Sequence, residues 1–234
     1  MPTVNAQWIM NQGPWNSNWI SYSIYAGYVS LELPRGNTGG RKEMRKSRQE
    51  TAETRQRIVE AASAEFRRNG IDGTGLANLM AAAGMTHGGF YKHFESKEQV
   101  VKESLALAIE EMVESLRSTV SASPGKRGLH AAITNYLSTG YRDDPAGGCP
   151  FVALGSDMAR SSDAVREATT AGFLDMVDVI ASQLDSKSPA VAKKDALVML
   201  STMIGAATMA RVVNDPELSE SILQQARKFL TRPS

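Results

Sequence analysis

From about Glu50 to the end of the 234-residue chain, no segment alternates with period two for long enough to make a strand, and apolar residues return every three or four positions. That is the period of an α-helix with one buried face; a half-buried strand needs strict alternation. Ile58, Ala62 and Phe66 stand four apart, and Gly70 follows as a residue suited to stop a helix. The pattern predicts an all-α chain, with helices over about 51–69, 75–83, 87–94, 96–121, 126–141, 151–160, 164–184, 189–213 and from 216 onward. Thr74 and Thr86 stand where N-caps of the second and third helices belong. Ser96 with Gln99 forms a capping box, and Ser188-Pro189 and Asp215-Pro216 pair an N-cap with proline at the first helical position.

Residues 1–43 differ from the rest. They hold all three tryptophans, Trp8, Trp15 and Trp19, and the linker-like run Arg35–Gly40. This segment reads as a disordered extension, or as leader sequence ahead of a true start at Met44. Behind it, residues 44–97 form one predicted domain and 98–234 a second. Charge is graded along the chain. Residues 41–100 carry 11 Lys/Arg against 8 Asp/Glu, and residues 101–234 carry 14 against 16. A basic front suits a protein that holds a polyanion at one end. The single cysteine, Cys149, permits no internal disulfide and no Cys-rich metal site, which fits a reducing cytoplasm. No membrane-spanning stretch is expected.

The most informative segment is Thr74–Lys97, TGLANLMAAAGMTHGGFYKHFESK. Two short helices joined through a glycine turn form a helix-turn-helix. A helix that enters the major groove needs a slim polar face, and Thr86, His87, Gly88 and Gly89 supply one. Tyr91, Lys92 and His93 follow with groups able to donate to phosphates, and Phe90 and Phe94 lie four apart as core anchors. Adjacent glycines cost a helix roughly 1 kcal/mol each, which a hairpin built only for stability has no reason to accept. The basic run Arg41–Arg48, with Arg45 and Arg48, is a candidate arm on the DNA backbone or a solvated lead-in.

These residues resemble the tetracycline-repressor-like (TetR) family of transcriptional regulators. The resemblance rests on Ile58–Ala62, Phe66, Asn69-Gly70, Ala83–Thr86, Gly89–Phe94 and Lys97. It implies three DNA-reading helices, a connecting fourth and a helical body, acting as a homodimeric repressor that a small-molecule effector releases from a double-stranded DNA operator. Carried over by position, Thr86, His87 and Gly89 face the groove, and Tyr91, His93, Lys97 and Thr74 contact phosphates. Gly75, Asn78 and Leu79-Met80 depart from the family's usual residues.

In the body, Tyr136, Cys149, Phe151, Met158, Phe173 and Met176 are candidates to line a ligand pocket. Leu200, Ile204, Ala207, Leu223, Ala226 and Leu230 on the last two helices are candidates for a four-helix dimer interface. No GxSxG, P-loop or HExxH pattern occurs, and His130 is the one histidine outside the reading helices, so no enzyme, metal site or cofactor is expected. Two alternatives stand beside the regulator: a redox or electrophile sensor acting through Cys149, and a helical adaptor that binds only protein.

Overall fold

The computed structural model describes residues 38–123, 125–186 and 188–232, with side chains from Arg48 onward. The chain divides into two compact units, Met1–Met44 and Arg45–Ser234, and the fold that follows is that of the second. The expectations for residues 1–37, with their tryptophans, lie outside the described residues, as does the side chain of Arg45. All regular structure among the described residues is helical. The first helix, α1 (Thr38–Asn69), starts well before Thr51. Residues 41–50 are mostly Arg, Lys, Glu, Met and Gln, which extend a helix at little cost. The expected linker therefore ends inside the first turn of α1.

The headpiece is α1, α2 (Leu76–Ala82) and a 3₁₀ helix, η1 (His87–Lys92). Gly70, at φ +77°, takes the left-handed conformation that ends α1, and its N–H returns to Phe66 O at 2.8 Å. Thr74 does not cap α2, whose N-cap is Gly75 with no side-chain bond. Its buried hydroxyl instead donates to Gly70 O at 2.8 Å and Glu65 O at 3.3 Å, serving carbonyls at the end of α1. Gly84, at φ +70°, turns the chain after α2, and Met85 N closes back on Met80 O at 2.8 Å. The third helix, expected over 87–94, is a shorter 3₁₀ turn with bonds from Gly89 N to Thr86 O and from His93 N to Phe90 O, each 2.9 Å. Thr86 stands at its N-cap position without a side-chain bond.

The body comprises α3 (Lys97–Ala122), α4 (Lys126–Tyr136), α5 (Thr139–Arg142), α6 (Pro150–Arg160), α7 (Asp163–Ala181), α8 (Pro189–Val212) and α9 (Pro216–Leu230). Ser96 caps α3 by accepting from Gln99 N at 3.2 Å, and in return Glu95 N donates to Gln99 Oε1 at 2.9 Å. Ser188 and Asp215 cap α8 and α9 as expected, Asp215 accepting from both Glu217 N and Leu218 N. One predicted helix is broken: the segment 126–141 stops at Tyr136, and Ser138 restarts it as α5 by accepting from Tyr141 N at 3.1 Å.

Two cores result. One joins α3, α4, α7, α8 and α9 around Ile133, Met176, Ile180, Leu200 and Met203. The other joins Ile58, Ala62 and Phe66 of α1 to Leu79, Met80, Phe90 and Phe94, and it extends to Val101, Leu154, Met158 and Val165. Helix α6 therefore carries headpiece core on its own side chains. By length and composition, α8 is apolar enough to cross a membrane, with a mean hydropathy of 1.3, which the sequence reading did not anticipate. One of its faces, Ala192 through Ala210, is buried in the bundle.

Candidate nucleic-acid interface and internal cavity

Phe90 and Phe94 fix η1 to the headpiece. Both are buried, their rings stack at 5.7 Å, and Phe90 meets Tyr91 edge-on at 5.2 Å. With that side anchored, Thr86, His87, Gly88, Tyr91 and Lys92 are left exposed, and Gly89 is half-buried. Tyr91 is 66% exposed although its ring is large and mostly apolar. At Gly88 a Cβ would meet no atom of the chain within 4 Å, and its φ is not positive. Neither packing nor backbone conformation within the chain calls for glycine there. At Gly89 a Cβ would touch the methyl of Met80 at 3.7 Å, an ordinary contact. Arg48 is exposed on α1.

Other expected phosphate contacts are turned inward. Thr74 is 1% exposed with its hydroxyl engaged in the chain, so its side chain has no path to a backbone phosphate. The ammonium of Lys97 donates to Ile71 O at 2.6 Å and lies 5.9 Å from the centre of the Phe66 ring. It holds the loop after α1 instead of projecting outward. His93 is half-buried, and its Nδ1 is enclosed without a hydrogen-bond partner.

A joint that the sequence reading missed orients η1. Arg55 of α1 forms a two-pronged ion pair with Glu103 of α3. It also donates to His93 O at 3.3 Å and covers the Phe94 ring at 4.4 Å. One guanidinium thus ties α1, the end of η1 and α3 together, the use for which its planar fork is suited. No local signal marks it, because its partners stand 38 and 48 residues away.

The body holds a cavity of about 260 Å³, open on one side to solvent and bounded by α3, α4, α7 and α8. Tyr136 and Met176 line it as expected. Cys149, Phe151, Met158 and Phe173 do not. Met158 belongs to the headpiece core, and Phe151 packs against both cores with its ring 5.7 Å from that of Phe173. Cys149 is 2% exposed, and burial raises its thiol pKa. A thiol that is shielded and held protonated lacks both properties of a reactive sensor, which corrects that alternative. The sequence reading also missed Arg67, which reaches the cavity from α1.

Three of the six dimer candidates lie inside the chain instead. Leu200, Ala207 and Leu223 are buried within the chain, and Leu200 lines the cavity. Ile204, Ala226 and Leu230 are partly buried against the same core. The large apolar residues left open on these helices are Val191, Leu197, Val198, Met209 and Val212 of α8, and Leu218 and Phe229 of α9.

Comparison with known proteins matches two regions of the chain. Residues 58–104 match the model for bacterial regulatory proteins of the tetR family. Residues 106–225 match the model for the C-terminal domain of LmrA/YxaF-like transcriptional regulators. Among curated relatives, the HTH-type transcriptional regulator TtgR of Pseudomonas putida is 39% identical over 62 residues, 26% of this chain and 30% of the relative. AcrR of Shigella flexneri is 41% identical over 59 residues, 25% and 27% of the two chains. The matched stretch thus spans under a third of these two relatives' length. A TetR transcriptional regulator from Chloroflexus aurantiacus aligns at a TM-score of 0.66 with 26% identity, covering 78% of this chain and 94% of that one. The reduced form of NemR from E. coli shares the fold at a TM-score of 0.65 and 20% identity, covering 76% and 95%. With both of its regions matched and its exposed turn carried on the same helical frame, the chain belongs to the tetR family of bacterial regulatory proteins.

Proposed function

We propose that two copies of this chain bind a near-palindromic operator as a repressor, and that a small molecule in the body cavity releases them. Thr86, His87 and Gly88 face base edges, with Gly89 behind them, while Tyr91, Lys92 and Arg48 contact phosphates. Arg45, on the same basic run, is assigned to the DNA backbone on sequence grounds. The observation that carries this reading is the exposed turn itself: Gly88 has no reason within the chain to be glycine, and Tyr91 is displayed although it is mostly apolar. A partner outside the chain supplies both reasons.

The second copy docks on the open apolar faces of α8 and α9, which places two η1 turns about one DNA turn apart, ~34 Å. The protein works in the cytoplasm and performs no catalysis of its own. A gel-shift titration over a range of salt concentrations tests this reading. Lys92→Ala should weaken binding to specific and random duplexes alike and lower the salt slope by about 1, whereas Thr86→Ala should change sequence preference. Equal effects of both variants on both DNAs would overturn the role assignments. Failure of the parent protein to retain any duplex at low salt would overturn the regulator reading.

A further inference from the structure

The cavity is built partly from the headpiece. Arg67, in the last turn of α1, is the only Lys or Arg among its described lining residues. Its Nε donates to Ser63 O at 3.0 Å, one terminal nitrogen donates to Ser63 Oγ at 3.0 Å, and the other donates to Gly148 O at 3.4 Å. A guanidinium has five N–H groups, so two donors remain on a side chain that borders the cavity. Burial lowers its pKa, opposed by the nearby carboxylates of Glu111 and Asp144. Arg67 is thus a cation removed from much of its water.

Tyr136 borders the same space. It is 7% exposed, and its hydroxyl is enclosed with no hydrogen-bond partner, adjoining the Cys149 thiol without the geometry of a bond. A buried hydroxyl without a partner is uncommon and calls for one. Much of the remaining lining is apolar, with Met112, Leu116, Met176, Ile180, Leu200 and Met203. Glu111 also lines the cavity, but it is solvent-exposed, so water screens its charge from an occupant.

Resting on the reading of this cavity as the effector site, we propose that the effector is a small apolar carboxylate. Its anionic group is received by the spare donors of Arg67 and by the Tyr136 hydroxyl. The planar fork of arginine fits two carboxylate oxygens at once, which selects a carboxylate over a neutral acceptor. The cavity volume lies just below the roughly 300–1,000 Å³ of drug-sized sites, which keeps the apolar part small.

The same contact gives a route for the signal. Gly148 ends a loop whose other carbonyls, Arg142 O and Asp144 O, are held by Arg211 of α8 at 2.8 and 2.9 Å. The loop leads directly into α6, which packs Leu154 and Met158 into the headpiece core. A carboxylate seated on the spare donors pulls the guanidinium toward the cavity, lengthens its 3.4 Å bond to Gly148 O and so loosens this joint between α1 and α6. The DNA-bound form, by linkage, binds the carboxylate more weakly by the factor that the carboxylate weakens DNA binding.

The test is calorimetry on the full chain with benzoate, 2-naphthoate and octanoate, each beside its primary amide. The wild-type protein should bind the best carboxylate at least about tenfold more tightly than its amide. Arg67→Gln should erase that preference, Arg67→Lys should keep part of it, and Tyr136→Phe should reduce carboxylate binding severalfold. The carboxylate should also lower wild-type affinity for a duplex selected from a random pool, and leave that of Arg67→Gln unchanged. Equal binding of carboxylates and amides by the wild type would overturn the proposal and leave the cavity as effector site. Binding of neither series would overturn the proposal and the effector reading together. The wild-type comparison stands even if a variant fails to fold.

Discussion

Gly88 separates a demand made by the fold from one made by a partner. A methyl there meets nothing inside the molecule, and alanine is the better helix former by up to about 1 kcal/mol. Gly88→Ala should therefore leave the urea unfolding midpoint unchanged or raise it, while reducing affinity for DNA. A variant that unfolds more easily and binds DNA normally would show that the glycine serves the chain instead. That this segment lies open was legible because its small and polar residues cluster in one short run beside two phenylalanine anchors. Side-chain direction was not legible. Thr74 and Lys97 have the right chemistry for phosphate, but the open carbonyls at the end of α1 and in the following loop lie closer, and they engage both groups. Cys149 shows the same limit, since its reactivity depends on a burial that no neighbouring residue in the sequence reveals.

Helix boundaries were readable wherever a cap is local. Ser96, Ser188 and Asp215 each bind a backbone N–H two or three residues ahead, so the signal and its effect lie in one short window. Ser138 obeys the same rule, but it sits inside an apolar periodicity that continues past it and hides the break between α4 and α5. The contact between α3 and α7 was not readable. A Cβ on Gly172 would stand 2.1 Å from Cγ2 of Ile109, so α7 approaches α3 to a distance that only glycine allows. Ile109 is buried and β-branched and has little freedom to move aside. Gly172→Ala should destabilise the protein by about 1–3 kcal/mol in urea unfolding, the usual range for overpacking. An unchanged midpoint would show that the two helices separate freely.

For the whole molecule, the last two helices divide into an inner and an outer face. Leu200, Ala207 and Leu223 belong inside, whereas Val198, Met209, Val212, Leu218 and Phe229 are open. Met209→Glu with Val212→Glu should convert a dimer to a monomer in light scattering, leave the helical spectrum intact and sharply weaken operator binding. Leu200→Ala should act differently, costing about 2–5 kcal/mol of stability without selectively splitting the dimer. If the double glutamate variant remains dimeric, the interface lies elsewhere.

The amino-acid order alone determined the all-α class, the glycine-bearing turn with its two phenylalanine anchors, and most helix starts. These are products of local rules: a 3.6-residue period, caps that reach two or three positions, and residues suited to a tight turn. The tertiary structure alone decided which face of α8 is inner, that Arg55 braces the reading turn, and that a headpiece arginine borders the cavity of the body. Each of these depends on side chains brought together from tens of residues apart. Periodicity says that a helix has a buried face, but only its neighbours in space determine what that face meets.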